Sequence, residues 1–307
     1  MDRDTALGLL TVAELPRVGE RRLRRIQAAA RAADLPFARL PELPARRLAE
    51  IGVPEAALRR LATDRIWHTA RCAALAQRLH AAGVRLCALG DRGYPRGWAH
   101  RATPPPPLVY LHGDIALLHR PTVALLSSRL VSGTTVTATL SVARAAAAAG
   151  FAIAVGGMKA THRIAAAAVH TLGAPRLVVV DRGLLSAFSG DLERDPFGFG
   201  PLRPPFDRRH TLALSPFRPE DHGLPCSGRR RDALIAALGD LVVAVQARPG
   251  GEIEGLCSNI LARGGHVLVW QAENERLMAV GAQAVHADDA AAQFRALAAG
   301  LAGSPAQ

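Results

Sequence analysis

The chain has 307 residues, of which 49% are hydrophobic and 21% are charged, and its formal net charge is +12. This length accommodates one full α/β domain and a smaller one, and the hydrophobic content suffices for a sizeable core. No stretch long enough to span a bilayer is free of charge, and the charged start, residues 1–10, lacks the pattern of a signal peptide, so we expect a cytoplasmic protein.

The cysteine and charge contents restrict the partners further. The four cysteines are scattered without C-x-x-C spacing, which predicts reduced, packed thiols and no metal or cofactor. The excess of basic residues favours a polyanion such as nucleic acid, because neutralised phosphates release counterions. A GC-rich coding bias would explain arginine in place of lysine, but not the net excess of positive charge.

Residues 1–83 are predicted to form a small helical domain. An apolar helix, a turn at residues 15–20 and a basic helix have the order of a helix-hairpin-helix, whose turn offers N–H groups to DNA phosphates. The basic stripe of the second helix consists of Arg21, Arg24, Arg25 and Arg31. Arg17 stands where the first glycine of such a turn is expected, and a helical bundle with a solvated basic face is the alternative. Trp67 and Leu75 are expected in the core.

Residues 84–121 are predicted to be a linker that packs on the domains beside it. Residues 84–89 have the character of a strand, and the prolines at 104–107 enforce an extended segment. The apolar run 108–111 predicts a second strand before the next domain.

Residues 122–163 contain a strand, a loop, an Ala-rich helix, a second strand and a second loop. A right-handed βαβ connection makes the strands parallel, so loops 127–133 and 156–162 leave the sheet at the same carboxyl edge. Helix N-termini and small residues at that edge favour a phosphate, although the small residues could serve only turns and caps. The candidate phosphate-binding residues here are Ser127, Ser128, Arg129, Ser132, Gly156, Gly157, Lys159 and Arg163.

Alternating helices and buried strands continue to about residue 286. This pattern predicts an α/β fold over residues 122–286, a Rossmann-like, doubly wound and mostly parallel sheet that binds DNA or a nucleotide phosphate. Residues 182–228, rich in Pro and Gly, are expected to form a surface excursion or a mobile lid, and residues 287–307 a terminal helix and tail. Further phosphate-binding candidates in this domain are Arg229, Arg230, Arg231, Gly250 and Gly251.

Lys159 is the single lysine of the chain, which suggests that a compact charge is needed there, as for a phosphate. The residues around it do not have Walker A spacing, so an NTPase is excluded. Arg129, Arg163 and the run 229–231 are all expected along the carboxyl edge, where they could line one basic groove.

Catalysis has little support in the sequence. No Ser-His-Asp set and no paired carboxylates can be assembled, and His162 is expected to be a loop residue whose pKa is lowered by the adjacent Arg163. The loop 249–252 partly resembles the P-G-G-x-G-T loop of lysine-decarboxylase-like phosphoribohydrolases. In that alternative Glu252 or Glu254 is the catalytic acid and a nucleoside monophosphate is the substrate.

From about residue 5 to residue 286 the chain resembles the DprA/Smf family of DNA-processing proteins. The segment VALLSSRLVS stands where the family has V-A-I-V-G-S-R-x-x-S, and GRRRDALIAALGDLVVAVQA resembles R-N-R-I-I-A-G-L-S and its following strand. The segments GYP and PPPPLVYLHGD, and the C-terminal segment that begins at Asn274, also match the family's pattern. The resemblance implies a non-enzymatic protein that binds single-stranded DNA, self-associates as a homodimer or pairs with another DprA, and helps to load the recombinase RecA during transformation.

The chain departs from the family's pattern at the phosphate loops. GGMKATHRIAAA replaces S-G-x-A-x-G-I-D-x-x-A-H, and GEIEGLC stands where the family has the hydroxyl-rich S-G-S-L-I-T-A. Asp232 replaces the Asn of the R-N-R pattern. The resemblance therefore implies a divergent DprA-like protein acting in DNA uptake and recombination, with Arg129, Lys159, Arg163 and Arg231 on phosphates. The alternatives are a nucleotide-binding sensor or hydrolase, and a structural paralogue that only pairs with an intact DprA.

Overall fold

A computed structural model of the chain describes residues 2–128, 132–157, 159–197, 203–270, 274–286 and 288–303. The N-terminal helices are α1 (Arg3–Ala13), α2 (Glu20–Ala32), α3 (Ala45–Glu50) and α4 (Glu55–Ala81). The strands are β1 (Val84–Ala88), β2 (Leu108–Gly113), β3 (Thr122–Ser127), β4 (Ala152–Gly156), β5 (Arg176–Val179), β6 (Thr211–Ser215), β7 (Leu241–Gln246), β8 (Val267–Trp270) and β9 (Gln283–Val285). The remaining helices are α5 (Arg96–Arg101), α6 (Gly133–Ala148), α7 (Ala160–Thr171), α8 (Leu184–Ala187), α9 (Ser227–Leu238), α10 (Glu252–Leu261), α11 (Glu275–Ala279) and α12 (Ala290–Gly303).

The strands form one sheet in the order β1-β2-β6-β5-β4-β3-β7-β8-β9. From β6 to β9 all neighbours are parallel, whereas β1 pairs antiparallel with β2, and β2 antiparallel with β6. The chain runs from β3 outward to β4 and β5, and later enters β7 on the other side of β3. The topological switch point is therefore between β3 and β7, where ligands of open α/β sheets bind.

Helices cover both faces of the sheet, because the central strands are apolar on both sides. In β3, Val123 and Leu125 face one core with α6, α7 and α12, while Ala124 and Leu126 face the other core with α5, α9 and α10. Such continuous burial is typical of parallel strands between two helical layers. The expected Rossmann-like, doubly wound α/β fold is confirmed. Among the described helices, none is both long and apolar enough to cross a bilayer.

The N-terminal helices pack against the antiparallel end of the sheet and share a core with it. Two arginines of the α2 stripe donate to carbonyl groups of residues 84–121: Arg24 Nε to Pro105 O at 3.3 Å, and Arg31 to Leu89 O at 2.7 Å. That segment supplies β1 and β2 to the sheet. Part of the basic stripe therefore holds the helical module against the sheet.

The segment 182–228, expected as a surface excursion or lid, is largely built into the core. Its β6 lies between β2 and β5 and is buried at every position. Phe188 and Phe206 pack around the ring of His112 in β2, with Phe206 stacked on it at 4.6 Å between ring centroids. The sequence analysis missed β6 because its five residues are surrounded by Pro- and Gly-rich chain.

A buried ion pair fixes the first half of this segment. Arg176 of β5 and Asp195 are each 1% exposed and are hydrogen-bonded to each other. Arg176 also donates to Thr211 Oγ1 at 2.8 Å and to Ala166 O at 3.2 Å. Asp195 accepts the backbone N–H of Phe197 at 2.8 Å. The pair therefore ties the segment to β5, β6 and α7.

We predict that Asp195→Ala lowers the free energy of unfolding by about 3–5 kcal/mol, because it leaves the Arg176 guanidinium buried without its counterion. Glu193→Gln is the matched control, since Glu193 pairs with Arg208 in an exposed ion pair of the same segment. That control should cost less than about 1 kcal/mol. Urea unfolding measures both values, and equal losses in the two variants would contradict the structural role of the buried pair.

Candidate nucleic-acid interface

The carboxyl ends of β3 and β7 are joined by hydrogen bonds at the switch point. Ser128 N–H donates to Gln246 O at 2.8 Å, and Ser128 Oγ accepts the N–H of Arg248 at 2.9 Å. The neighbouring Ser127 Oγ is buried and has no hydrogen-bond partner among the described residues. A β-bulge between Leu126 and Ser127 turns the strand end at this point. Two of the predicted serines thus lie where a ligand of this fold is expected.

The helix after β3 begins with the third predicted serine. Ser132 is the N-cap of α6, and its Oγ accepts the N–H of Thr135 at 3.0 Å. This bond satisfies one of the free N–H groups at the helix start. Arg129 lies outside the described residues, so its contact with phosphate stays a prediction. The positive end of the α6 dipole faces the same edge as the end of β3.

The two glycines after β4 make room for neighbouring side chains. A Cβ on Gly156 would collide with the ring of His162, and one on Gly157 would lie 2.6 Å from the ring of Phe197. Their small size is therefore required for packing. Direct approach of a phosphate to these glycines stays a prediction.

A group of charged side chains, which we call the edge cluster, spans the carboxyl ends of β4 and β5. Its members are Lys159, Asp181, Arg231 and Asp232. Lys159 Nζ is 2.6 Å from Asp232 Oδ2, and Arg231 donates Nε and Nη2 to Asp232 Oδ1 at 3.0 and 2.9 Å. Arg231 Nη1 reaches Asp181 Oδ2 at 2.7 Å. Lys159 precedes α7 on one face of the sheet and Arg231 is the fifth residue of α9 on the other, so the cluster connects the two helical layers.

Burial of the edge cluster changes the expected role of Arg231. The whole residue is 1% exposed and its guanidinium is bound by two carboxylates, so in this conformation it cannot contact a phosphate in solvent. Lys159 is 15% exposed and lies at the rim of the cluster. Arg163 is half-buried in the first turn of α7. We therefore assign Arg231 a structural role and keep Lys159 and Arg163 as candidates for phosphate contact.

The arginine run 229–231 does not line one groove, because its members point to three different partners. Arg229 pairs with Glu252 at 2.6 Å on the surface, whereas Arg230 pairs with Glu20 of α2 and donates to Pro104 O at 2.7 Å. Arg230 thus joins the α/β domain to the helical module, and Arg231 belongs to the edge cluster. The expectation of a single basic groove is corrected accordingly.

The N-terminus of α10 already holds an anionic group of the chain itself. Gly251 is its N-cap, and the N–H of Gly250, at φ +67°, donates to Glu254 Oε2 at 2.5 Å. A carboxylate therefore occupies the position at which the resemblance predicts a hydroxyl-rich phosphate loop. Since Glu252 is paired with Arg229, both acids of the hydrolase alternative are engaged in contacts of their own. Within the described residues, no group of His, Cys, Asp or Glu is arranged to hold a metal.

His162 is packed beneath the edge cluster. The residue is 2% exposed, and its two ring nitrogens have no hydrogen-bond partner in the described part of the chain. Burial, and then the positive charges of Arg231 and Lys159, hold the pKa of His162 well below its usual value. The ring is therefore neutral at pH 7. Thr161 Oγ1, next to it, is likewise buried without a partner among the described atoms.

Comparison with known proteins decides the family. A family model for DNA recombination-mediator protein A matches residues 85–296, which is more than half of the chain. The chain belongs to this DprA family. The resemblance found in the sequence is thereby confirmed, and with it a role in DNA processing and recombination mediation, which is not catalytic. No match to a curated protein sequence was found.

Two solved structures share the fold. DNA processing protein A (DprA) from Streptococcus pneumoniae matches with a TM-score of 0.66 and 18% identity, over 96% of this chain and 98% of that chain. DNA processing protein A from Helicobacter pylori, described for its single-stranded DNA binding mode, matches with a TM-score of 0.54 and 20% identity, over 69% of this chain and 95% of that chain. At such identities the likeness establishes the fold alone.

Sequence reasoning missed the acidic half of the edge cluster. Asp181 directly follows the apolar run of β5, and that position was the available signal for it. Asp232 was recognised as a replacement for Asn, but its pairing with Lys159, 73 residues away, needs the fold. Glu254 was considered only as a catalytic acid.

We predict that stability falls on acidification below pH ~6.5 with a contribution from His162. The folded state lowers the pKa of His162, so protons bind preferentially to the unfolded chain. The contribution of His162 to the free energy of unfolding is therefore fully present above the pKa that this histidine has in the unfolded chain. It is lost as the pH falls below that value. One such group contributes at most about 1.4 kcal/mol per pH unit. His112, whose pKa is lowered mainly by burial, contributes with the same sign.

Urea unfolding between pH 7.5 and 5.5 tests this prediction. His162→Gln should reduce the pH slope, while the control His100→Gln, at an exposed histidine, should leave it unchanged. An unaltered slope in His162→Gln would show that this ring does not titrate on unfolding.

Proposed function

We propose that this DprA-family chain binds single-stranded DNA at the carboxyl edge of its sheet and acts as a recombination mediator through that strand. The supporting observation is that the N-termini of α6, α7 and α10 lie together, because these helices follow the adjacent strands β3, β4 and β7 respectively. Each helix start presents N–H groups and a partial positive charge, which favour phosphate oxygens. Two buried hydroxyls without partners in the described structure lie nearby: that of Ser127 at the end of β3 and that of Thr161 in the first turn of α7.

The proposed phosphate contacts come from the exposed and rim residues of this edge. They are Ser128, Arg129, Lys159, Arg163 and the exposed Arg248, whose N–H is already bonded to Ser128. A protein of the same fold from Helicobacter pylori supports the choice of ligand, since its description concerns single-stranded DNA binding. Self-association, pairing with another DprA and transfer of the strand to RecA in DNA uptake belong to the same proposal; family membership is what supports them.

The carboxylates of Asp232 and Glu254 are expected to weaken the binding of DNA at this edge. Asp232 neutralises part of the charge of Lys159, and Glu254 occupies the start of α10, so fewer phosphates are bound than a count of basic residues suggests. With about three phosphates neutralised at this edge, the contacts of the edge alone should contribute a slope of about −2 to log affinity against log salt for a single strand.

The direct test is fluorescence anisotropy of a labelled single-stranded oligonucleotide across a salt series, with Lys159→Ala beside the parent chain. We expect weaker binding and a shallower slope in Lys159→Ala, because one phosphate contact is lost. Arg46→Ala is the matched control, since Arg46 is 91% exposed on α3, on the helical module. No binding by the parent at low salt, or equal losses in the two variants, would refute DNA binding at this edge.

We further predict that Asp232→Asn binds the oligonucleotide about fivefold more tightly at low salt, because Lys159 loses its negative neighbour and about 1 kcal/mol of repulsion to a phosphate is removed. The variant should unfold at lower urea, since it weakens a buried charge cluster. Glu50→Gln removes the same charge from the surface of α3 and should change neither property. Unchanged or weaker binding by Asp232→Asn would contradict a regulating effect of this carboxylate.

A further inference from the structure

The helical module exposes two large apolar side chains at one place. Ile66 is 87% exposed and Trp67 is 59% exposed, although Trp67 was expected in the core. They follow a kink in α4 at Asp64, whose φ of −133° and ψ of 33° are not helical. Both side chains therefore lie on the surface directly after the kink. An exposed tryptophan is uncommon enough to indicate a contact surface.

Arginines surround the indole in a cleft of about 680 Å³, which we call the Trp67 cleft. Its basic lining residues are Arg59, Arg60, Arg71 and Arg218, against two acidic ones, Glu14 and Asp64. The Arg60 guanidinium lies 5.3 Å from the centre of the indole ring. The cleft thus combines an aromatic surface with an excess of positive charge.

Three of the four arginines of the Trp67 cleft, Arg59, Arg60 and Arg71, are held by exposed ion pairs. Arg59 is 3.7 Å from Glu55, Arg60 is 3.0 Å from Asp64, and Arg71 is 3.3 Å from Glu220. Each of the six side chains is at least 38% exposed, and exposed ion pairs of this kind contribute little to stability. A phosphate can therefore replace the carboxylate partner at small cost.

The Trp67 cleft adjoins the carboxyl edge of the sheet. Arg218 follows β6, which is parallel to β5, β4 and β3, so it leaves the sheet at the edge where DNA is proposed to bind. Its guanidinium donates to Leu15 O at 2.9 Å and to Val18 O at 2.7 Å, in the turn between α1 and α2. β6 lies three strands from β3, a distance of about 14 Å at the usual strand spacing. An extended strand can cross that distance.

We propose that the Trp67 cleft is a second contact for the same single-stranded nucleic acid, with a base stacked on the indole and the backbone phosphates on Arg59, Arg60 and Arg71. This inference rests on the proposed DNA binding at the carboxyl edge and extends it onto the helical module. Aromatic side chains in a positive groove are the usual platform for bases of single strands. The excess of arginine over acidic residues favours a polyanion over an apolar protein segment as the occupant.

The test uses the full chain with Trp67→Ala, Trp67→Phe and the neighbouring control Ile66→Ala. Anisotropy of a labelled 30-mer of deoxythymidine should show binding weakened about 5- to 100-fold in Trp67→Ala, largely retained in Trp67→Phe, and little changed in Ile66→Ala. An oligonucleotide of the same length with abasic sugars should bind the parent more weakly but should not distinguish Trp67→Ala from the parent. Oligonucleotide should also quench the tryptophan fluorescence of the parent more than that of Trp67→Ala, because of the other two tryptophans Trp98 is buried and Trp270 is half-buried.

The outcomes separate the two proposals. If the parent binds DNA and Lys159→Ala weakens it, but Trp67→Ala behaves like Ile66→Ala and shows the parent's quenching, this inference is wrong and the edge site stands. In that case a protein partner becomes the alternative ligand of the Trp67 cleft. If the parent binds no single-stranded DNA at low salt, both proposals fail.

Discussion

The contact of Asp232 with Lys159 and Arg231 joins the two helical layers over the carboxyl end of the sheet. Lys159 is the N-cap residue of α7 on one face, and Arg231 lies near the start of α9 on the other. Asp181, which follows β5, holds Arg231 by a second ion pair. Neither cation could stay buried without these carboxylates, since an unpaired buried charge costs several kcal/mol. The edge cluster therefore determines the shape of the surface on which a ligand would rest.

This arrangement gives the chain a different charge balance from the one its family motif implies. An Asn at position 232 would accept and donate hydrogen bonds without neutralising its neighbours, whereas the Asp supplies a full counter-charge. Glu254 has a similar effect at α10, where its carboxylate takes the N–H of Gly250. Two anionic groups thus stand where phosphates are expected. The DNA binding that we propose would therefore depend more on exposed arginines and on contacts of the DNA strand beyond this edge.

The architecture follows from the sequence because it depends on local patterns. Apolar runs at 122–126 and 241–246 predict buried parallel strands, and Gly150 ends the Ala-rich helix near its observed end. β6 was not foreseen, since a strand of five residues within Pro- and Gly-rich chain has no distinctive period. Trp67 was placed wrongly in the core, because a large apolar side chain in a helix is usually buried and its spacing does not reveal this exception. The edge cluster also lay beyond sequence reasoning, since its ion pairs join residues from three separate segments.

The most direct measurement of the central claim is amide hydrogen exchange of the full chain with and without a saturating single-stranded oligonucleotide. Binding at the carboxyl edge predicts slower exchange in segments 127–133, 156–163 and 247–252, and no change in α3 or in the starts of β3 and β7 at the opposite edge. Protection confined to the amino edge, for instance around Arg101 and Arg120, would contradict the account. It would show that DNA binds on the other side of the sheet from the edge cluster.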